Sequence, residues 1–262
     1  MDLKLQGRRA VVTGASDGIG LAVADLLAEE GATVTLIARR REVLEARCAE
    51  ISDKHSVNCF AVVADLSSLE GCEAAMAESL ERMGGLEILV NNVGSSMFAG
   101  FEELPDERWI PDIELKLMSY VRMSRLALPA LRDAGGGRIV NVAGNSGKQP
   151  LPYHMSGAAA NAAVLNLTTS LALQVARDGV HVIAVNPGPV ATARFNKQVK
   201  RVSEDEEISE QEARRRFDAE MPMGRVPTSE EVAASIVYLA SPRAVAITGT
   251  SLTIDGGITR GI

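Results

Sequence analysis

Large aromatic side chains and cysteines are scarce in this sequence of 262 residues. Aromatic residues make up 3% of the chain and hydrophobic residues 46%, so its core has to be built from Ala, Val, Leu and Ile, as in parallel sheets covered by helices. The three cysteines, Cys48, Cys59 and Cys72, are odd in number and lack both a C-x-x-C spacing and neighbouring His ligands. The sequence therefore indicates neither a disulfide framework nor a metal site, and we expect a reducing, cytoplasmic location.

Positive charge and long apolar runs are also limited. Lys and Arg number 27 against 34 Asp and Glu, which gives a net charge of −7 and no general attraction to nucleic acid or to an anionic membrane surface. The chain holds no window of ~18 uninterrupted apolar residues, and its first residues contain no long apolar stretch. We therefore expect no nucleic-acid partner, no membrane span and no signal peptide.

Short β-branched runs alternate with longer stretches in which apolar residues recur three and four positions apart, a pattern typical of repeated βα units. The predicted strands are 10–13, 33–38, 57–65, 86–90, 138–142, 180–185 and 251–255, and the later helices are 41–53, 67–83, 106–133, 155–178 and 229–240. No Ser/Pro/Gly-rich linker divides the chain. These features predict one α/β domain over residues 1–262, with a Rossmann-type, doubly wound parallel sheet.

Residues 193–221 interrupt this alternation with a densely charged segment between the sixth strand and the last helix. One interpretation is a solvated helical excursion, and the other is a lid over a site at the carboxyl ends of the strands. Because the segment combines charge with few core-sized residues, we expect few contacts to hold it and high mobility without ligand.

A glycine-rich turn follows the first strand. That strand runs into Gly14-Ala-Ser-Asp-Gly18-Ile-Gly20 and then into a helix, which is the context that a phosphate-binding turn requires. Gly14 permits the tight turn, Gly18 lets backbone approach a pyrophosphate, and Gly20 allows the helix to lie close to the strand. The N-terminus of the helix then faces the anion with unpaired N–H groups.

The spacing G-x-x-x-G-x-G with Thr13 in front resembles the short-chain dehydrogenase/reductase family, and further landmarks match in order along essentially the whole chain. These landmarks are Asp65-Leu66 after the third strand, Asn91-Asn92-Val93-Gly94 after the fourth, Asn186-Pro187-Gly188-Pro189-Val190 with Thr192 after the sixth, and Thr253-Ile254-Asp255-Gly256-Gly257 near the end. The resemblance implies a dinucleotide site formed by Gly14, Ser16, Asp17, Gly18, Ile19, Gly20, Arg39, Asp65, Leu66, Asn92, Gly94, Asn161, Pro187, Gly188, Val190 and Thr192.

The end of the second strand indicates which dinucleotide binds. A carboxylate there accepts hydrogen bonds from a ribose 2′-hydroxyl and repels a 2′-phosphate, whereas an arginine binds that phosphate through a forked pair of charge-assisted hydrogen bonds. Ala38 stands where NAD-using members of the resembled family usually carry Asp, and Arg39 matches the arginine of one NADP-using subgroup. A second subgroup places a base inside the glycine turn, where this chain has Asp17. The sequence therefore predicts NADP rather than NAD.

The catalytic positions of the resembled family are altered in this chain. That family uses a Tyr-x-x-x-Lys pair after the fifth strand, a Ser upstream of the Tyr and an Asn on the preceding long helix. The tyrosine transfers a proton, and the lysine lowers the pKa of that tyrosine. Alignment of 161–172 with the family pattern puts Asn161 at the lysine, Gly157 at the tyrosine and Gly144 at the serine. Lys116 falls at the asparagine.

The usual proton relay cannot operate with these residues, because glycine has no side-chain proton and asparagine carries no charge. Lys116 and Asn161 look like a reciprocal exchange of the family's Asn and Lys, so an ammonium group still reaches the same volume. Replacement groups lie nearby in the sequence, although each also has an interpretation as a packing or solvated residue: Tyr153, His154, Ser146 and Lys148. We predict that a phenol from Tyr153 enters the space left by the two glycines. The predicted catalytic residues are Tyr153, Lys116, Asn161 and Ser146.

Two hypotheses of function follow, and they belong to different classes. The first is an NADP-dependent oxidoreductase that interconverts a small carbonyl and an alcohol with atypical proton-transfer residues. The second is a catalytically silent NADP-binding sensor or structural subunit, and non-redox chemistry in the same pocket is a third for which no motif is present. The resemblance also implies a homotetramer or homodimer that pairs the helices 106–133 and 155–178, the second of which is rich in alanine.

Overall fold

Seven parallel strands form one sheet in the computed structural model, which describes residues 1–94 and 98–260. The strands are β1 Arg9–Thr13, β2 Thr33–Ala38, β3 Cys59–Val63, β4 Ile88–Asn91, β5 Gly137–Val142, β6 Val180–Pro187 and β7 Ser251–Ile254. Their order across the sheet is β3-β2-β1-β4-β5-β6-β7, with every neighbouring pair parallel. The predicted α/β class and doubly wound sheet are confirmed.

Helices cover both faces of this sheet. They are α1 Gly18–Glu29, α2 Arg41–His55, α3 Leu69–Met83, α4 Asp106–Ile113, α5 Ser119–Asp133, α6 Met155–Val175, α7 Ala193–Asp205, α8 Glu210–Glu220 and α9 Ser229–Ala240. Alternate strand residues point to opposite faces, so Val12 packs with α1, α2 and α9, whereas Val11 packs with α3, α5 and α6. Both faces are buried, which explains why the strands are continuous apolar runs.

The strand order reverses beside β1, which lies between β2 and β4. Connections on either side of such a reversal diverge to opposite faces and leave a crevice beyond the carboxyl ends of the strands, where ligands of open α/β sheets bind. In this chain the carboxyl end of β1 meets the glycine-rich turn, and that of β4 meets Asn92–Gly94. The sheet topology alone therefore places the candidate site at the carboxyl ends of β1 and β4.

The predicted helix 106–133 is interrupted by a π-helical turn. Residues Glu114–Met118 form this turn between α4 and α5, and Pro111 lies in the last part of α4. A π-turn widens the helix by one residue and is frequent at functional sites. It contains Lys116, one of the predicted catalytic residues.

One segment, Met155–Asp178, has the length and composition of a membrane-spanning helix, with 33% of its apolar window buried. The sequence-based expectation of no membrane span relied on a run of uninterrupted apolar residues. Polar residues such as the threonines interrupt that run in α6, although the mean hydropathy of the helix is high enough for a span. In the fold, Ala172 and Val175 on one side of the helix are buried against the sheet. On the other side Leu173 is 82% exposed. The helix is thus a core element of the α/β domain, with Leu173 as a large apolar residue on its outer side.

The charged excursion 193–221 has an apolar core of its own. Phe195 and Val199 on α7 are buried with Ala213 on α8, Met221 and Val226, while ion pairs such as Arg216–Glu206 lie outside. The segment therefore contains more core-sized residues than expected, because they recur at helical spacing within a sequence dominated by charge. Its mobility without ligand and its action as a lid remain predictions.

Candidate active site

The glycine-rich turn has the backbone conformation that the sequence requires. Gly14 and Gly18 have φ angles of 64° and 57°, a region that side chains other than glycine rarely adopt. A Cβ on Gly20 would lie 2.4 Å from the Gly14 carbonyl oxygen, so only glycine allows α1 to approach the turn this closely. Asp17 caps α1 by accepting a hydrogen bond from the Gly18 N–H at 2.7 Å, and this bond uses the carboxylate locally.

Asn92 and Thr13 fasten the turn to the end of β4. The Thr13 hydroxyl oxygen accepts hydrogen bonds from the backbone N–H groups of Asn92 at 2.9 Å and Val93 at 3.2 Å. The Asn92 side-chain amide donates to the carbonyls of Thr13 and Gly14, both at 3.2 Å. These bonds satisfy the carbonyls of Thr13 and Gly14. The N–H groups of Gly14 and Ala15 donate to the Ile37 carbonyl of β2 at 2.9 and 3.3 Å, so the start of the turn is held by both neighbouring strands.

Two arginines lie at the end of β2, and the sequence analysis had singled out only one of them. Arg40 donates to the Ser16 hydroxyl at 3.3 Å, which places a second cation directly against the glycine-rich turn. Asp65 has a lowered pKa, mainly because its carboxylate accepts the Ser67 backbone N–H at 3.0 Å, and the charge of Arg39 adds to this effect. Arg39, Arg40 and Ser16 thus surround the corner expected for the adenosine ribose.

The remaining predicted cofactor residues are either apolar residues packed in or against the core, or residues of the loop that follows β6. Leu66 and Val190 are buried in the core, so mainly their backbones are available to a ligand, whereas Ile19 is only partly buried against the core. Pro187 ends β6, and a Cβ on Gly188 would lie 2.6 Å from the Asp255 Cβ. The Thr192 methyl lies 3.1 Å from the position of a Gly18 Cβ. The sixth-strand loop therefore closes directly onto the glycine-rich turn.

Lys116 projects from the π-turn to the end of β5. Its ammonium nitrogen donates to the Val142 carbonyl at 2.6 Å and to the Tyr120 hydroxyl oxygen at 3.0 Å. A Cβ on Gly94 would lie 2.9 Å from the Lys116 Cδ, so the glycine makes room for this side chain. Burial, followed by the charge of Arg194, lowers the pKa of Lys116 to about 7. The amine therefore exchanges protons near neutral pH.

Tyr120 is the phenol that meets Lys116, and the sequence analysis missed it. It lies one helical turn after Lys116 and is fully buried, and its hydroxyl donates to the Val142 carbonyl at 2.9 Å. Burial raises its pKa well above the ordinary value, so it remains a neutral phenol. The i, i+4 spacing of Lys and Tyr on one predicted helix was the available indication.

Asn161 and Ser146 lie together on the other side of the same strand end. The Asn161 side-chain amide donates to the Ser146 hydroxyl oxygen at 3.0 Å, and both residues are buried. A Cβ on Gly144, whose φ is 154°, would lie 2.7 Å from the Asn161 Nδ2. Asn161 therefore occupies the space that a serine at position 144 would need. Asparagine at position 161 thus requires glycine at position 144.

His154 completes this second group. Its Nδ1 lies 3.1 Å from the Ser146 hydroxyl oxygen, and its ring stacks on Phe98 with the centroids 4.6 Å apart. Burial, followed by the charge of Arg194, lowers the pKa of His154 to about 4. The imidazole is therefore neutral at physiological pH and contributes hydrogen bonding without charge.

Tyr153 is not brought together with Lys116. The helix α6 begins at Met155, so Tyr153 precedes it in the loop, where its backbone carbonyl accepts the Ala99 N–H at 2.9 Å and 64% of the residue is exposed. Its neighbour His154 points inward instead. The structure thus gathers Lys116, Asn161 and Ser146 of the four predicted catalytic residues around the end of β5, and replaces the expected phenol with that of Tyr120.

Comparisons with known proteins agree with the fold and with a dinucleotide site. Residues 8–203 match the model of the short chain dehydrogenase family. The sequence is 35% identical to a 2,3-dihydroxy-2,3-dihydro-p-cumate dehydrogenase of Pseudomonas putida, over 98% of this chain and 96% of that protein. L-sorbose reductase from Gluconobacter frateurii, solved with NADPH and L-sorbose, superimposes with a TM-score of 0.97, 33% identity and complete coverage of both chains. A variant of actinorhodin polyketide ketoreductase, solved with NADPH, superimposes with a TM-score of 0.92 and 35% identity, over 96% of this chain and 97% of that one.

The fold and the turn at the strand reversal define a dinucleotide-binding α/β protein. The family match over residues 8–203 makes the class specific: the chain belongs to the short-chain dehydrogenase/reductase family of NAD(P)-dependent oxidoreductases.

Proposed function

We propose that this protein is an NADPH-dependent reductase that interconverts a small carbonyl compound and an alcohol, with Lys116 as the proton-transfer group. The observation that carries the proposal is the position of the Lys116 ammonium at the end of β5, beside Gly94 and with a pKa of about 7. A general acid works best when its pKa is near the operating pH. A cytoplasmic location and a homo-oligomeric state are parts of the same proposal.

The residues present fit the proposed cofactor. The turn Gly14–Gly20 and the N-terminus of α1 offer N–H groups to a pyrophosphate, and glycine is required there because a Cβ at position 20 would strike the Gly14 carbonyl. Arg39 and Arg40 supply positive charge beside Ser16, where NADP differs from NAD by its 2′-phosphate. NADPH-bound relatives of similar fold support this choice.

The proton step follows from the side chains around the strand end. NADPH, when bound, supplies the hydride that reduces the carbonyl carbon. Lys116 supplies the proton to the carbonyl oxygen from its ammonium, while Tyr120 remains a neutral phenol that holds the amine through its hydroxyl oxygen. Asn161 and Ser146 offer a polar wall from the opposite side. Restoring serine at position 144 is not expected to help, because Asn161 fills that space.

A silent nucleotide-binding protein is the second candidate, and one observation favours it. The positions of the family's Tyr and Ser are both glycine, Gly157 and Gly144, so no family phenol or hydroxyl is available there. Under this hypothesis the dinucleotide turn retains its binding role, and Lys116 contributes only to the structure.

The two candidates are separated by binding and turnover measured on the same protein. NADPH binding is measured by its fluorescence, and NADPH oxidation is then followed against a panel of small carbonyl compounds. The reductase proposal expects turnover that Lys116→Met lowers by at least ~100-fold, with NADPH affinity unchanged. Lys197→Met, which alters an exposed lysine on α7, is the matched control. Binding without turnover of any carbonyl compound would support the silent protein instead.

The same assay tests the earlier expectation for Tyr153. Because its side chain is exposed and precedes α6, the proposal expects Tyr153→Phe to retain turnover. A loss comparable to that of Lys116→Met would restore Tyr153 to the catalytic set.

A further inference from the structure

Within residues 1–94 and 98–260, the side-chain nitrogen of Lys116 has two hydrogen-bond acceptors and no ion-pair partner. It donates to the Val142 carbonyl at 2.6 Å and to the Tyr120 hydroxyl oxygen at 3.0 Å. The acidic residue two positions earlier, Glu114, pairs with Arg122 instead. An ammonium group has three N–H donors, one more than these acceptors take up. A neutral amine has two N–H groups, one for each acceptor, and keeps a lone pair.

The same nitrogen lies beside an opening at the end of β4. Gly94 is exposed, and a Cβ on it would lie 3.2 Å from the Lys116 nitrogen. Because glycine has no Cβ, it leaves space beside the nitrogen on this side. The Lys116 residue itself is partly exposed. A small carbonyl compound in the crevice can therefore approach the nitrogen from the side of Gly94.

The surroundings of Lys116 favour the neutral amine. Both acceptors are uncharged, and burial raises the pKa of Tyr120, which stays a neutral phenol. Burial, followed by the charge of Arg194, lowers the pKa of Lys116 to about 7. The other titratable groups on adjoining elements are Asp112 on α4 and His154 before α6, whose pKa is lowered to about 4. About half of the protein thus carries a neutral amine at pH 7.

We propose that Lys116 is also a nucleophile, which forms a Schiff base with an aldehyde or ketone bound beside Gly94. Lysines that are desolvated or lie near another cation act in this way, because deprotonation frees their lone pair. The reaction needs no dinucleotide, so it goes beyond the proposed reductase and belongs to non-redox chemistry in the same pocket. The two reactions use opposite protonation states of one nitrogen, the ammonium for reduction and the amine for the Schiff base.

The reaction balances without an oxidant or a reductant. The Lys116 nitrogen attacks the carbonyl carbon, the π electrons of the C=O bond move to oxygen, and a proton passes from nitrogen to oxygen to give a carbinolamine. Its hydroxyl takes a proton from solvent and leaves as water, and the C=N bond of the protonated Schiff base forms. This cation makes the neighbouring C–H groups acidic, so solvent removes an α-proton and later returns one. Hydrolysis then releases the unchanged carbonyl compound.

The first test traps the Schiff base with sodium cyanoborohydride at pH 8 without NADPH, using acetone and cyclohexanone as probes. We expect a single reduced adduct by intact mass, located at Lys116 by peptide mapping and formed at least ~10-fold faster than at any other lysine. Lys197, exposed on α7, is the internal control, since exposed lysines generally remain ammonium ions at this pH. Lys116→Met should lose the adduct, and Lys197→Met should retain it. Labelling that does not prefer Lys116 would overturn the proposal.

A second test measures catalysis instead of trapping. In heavy water the native protein should exchange the α-hydrogens of acetone for deuterium, as followed by NMR, and Lys197→Met should do the same. Lys116→Arg keeps a positive charge but has no nucleophilic amine, so it should be as inactive as Lys116→Met. Equal exchange by the native protein and Lys116→Arg would overturn the proposal.

The outcomes for this inference and for the proposed function are independent. An adduct at Lys116 in a protein that oxidises no NADPH would support the Schiff base and reject the reductase. NADPH oxidation that depends on Lys116, in a protein that forms no adduct and exchanges no deuterium, would reject the Schiff base and leave the reductase intact.

Discussion

We propose that Lys116 and Asn161 exchange the places that an asparagine and a lysine hold in the family. Two glycines leave space for the exchanged side chains. Gly94 makes room for the lysine stem, and Gly144 makes room for the Asn161 amide. The positive charge therefore enters from the π-turn instead of from α6, and reaches the end of the same strand.

Lys116 should make the stability of the protein depend on pH. Its pKa is about 7 in the folded state against 10.5 for an ordinary lysine, so the unfolded chain binds the extra proton between these values. Lys116 therefore lowers the free energy of unfolding most below pH ~7. This destabilising effect decreases as the pH rises toward ~10.5. Lys116→Met should stabilise the protein at pH 6 by roughly 2–5 kcal/mol more than at pH 10, by denaturant unfolding. If the difference in unfolding free energy between Lys116→Met and the native protein does not vary with pH, the pKa of Lys116 is not lowered.

From the sequence, site residues could be predicted where the backbone conformation or the family alignment fixes the residue type. Residues that join the site only through contacts made in the folded chain were harder to predict. The glycines of the turn and Lys116 follow from steric need and from position along the helix. Tyr120 and His154 follow less directly, because the i, i+4 spacing from Lys116 was the one indication for Tyr120, and nothing in a loop sequence indicates that the His154 ring turns inward. Tyr153 was preferred over His154 for its chemistry, whereas the start of α6 at Met155 decided which of the two faces the site.

At the scale of elements, the end of β2 and the start of α2 should determine cofactor choice. Arg39 and Arg40 both lie there, and Arg40 donates to Ser16. Loss of a charge-assisted pair to a phosphate costs ~1.5–3 kcal/mol, or roughly ten- to hundredfold in affinity. Arg39→Ala and Arg40→Ala should each weaken NADPH by this amount and affect NADH little, as measured by fluorescence titration. Equal weakening of both dinucleotides, or tighter NADH binding by the native protein, would contradict the assignment.

The strand pattern was predicted closely, whereas two helical features were not. β2 has the predicted bounds, and the others differ by a few residues at their ends. The break of 106–133 by a π-turn was not predicted, because it changes the helical register without any change in apolar spacing. The core of the excursion was also missed, since Phe195 and Val199 are separated by polar residues and contact Ala213 and Met221 only in the folded chain.

For the whole molecule, the outer face of α6 should be a subunit interface. Leu173 on this helix is a large apolar side chain with 82% of the residue exposed, and exposed apolar surface on soluble proteins commonly marks protein interfaces. Leu173→Glu should dissociate the oligomer to a species near 27.8 kDa by light scattering, with the melting temperature of the monomer largely retained. Val245→Glu, at an exposed site after α9, is the control. A native protein that is already monomeric at micromolar concentration would reject this interface.

The central claim is that Lys116 donates the proton in an NADPH-dependent carbonyl reduction. It is tested most directly by the pH dependence of kcat/KM for a carbonyl compound that the native protein reduces. Because the ammonium form is the donor and its pKa is about 7, the account predicts a kcat/KM that is constant at acidic pH and falls tenfold per pH unit above ~7. Lys116→Met should be slow and show no such fall. A native profile that stays flat to pH 9, or the same fall in Lys116→Met, would contradict the claim.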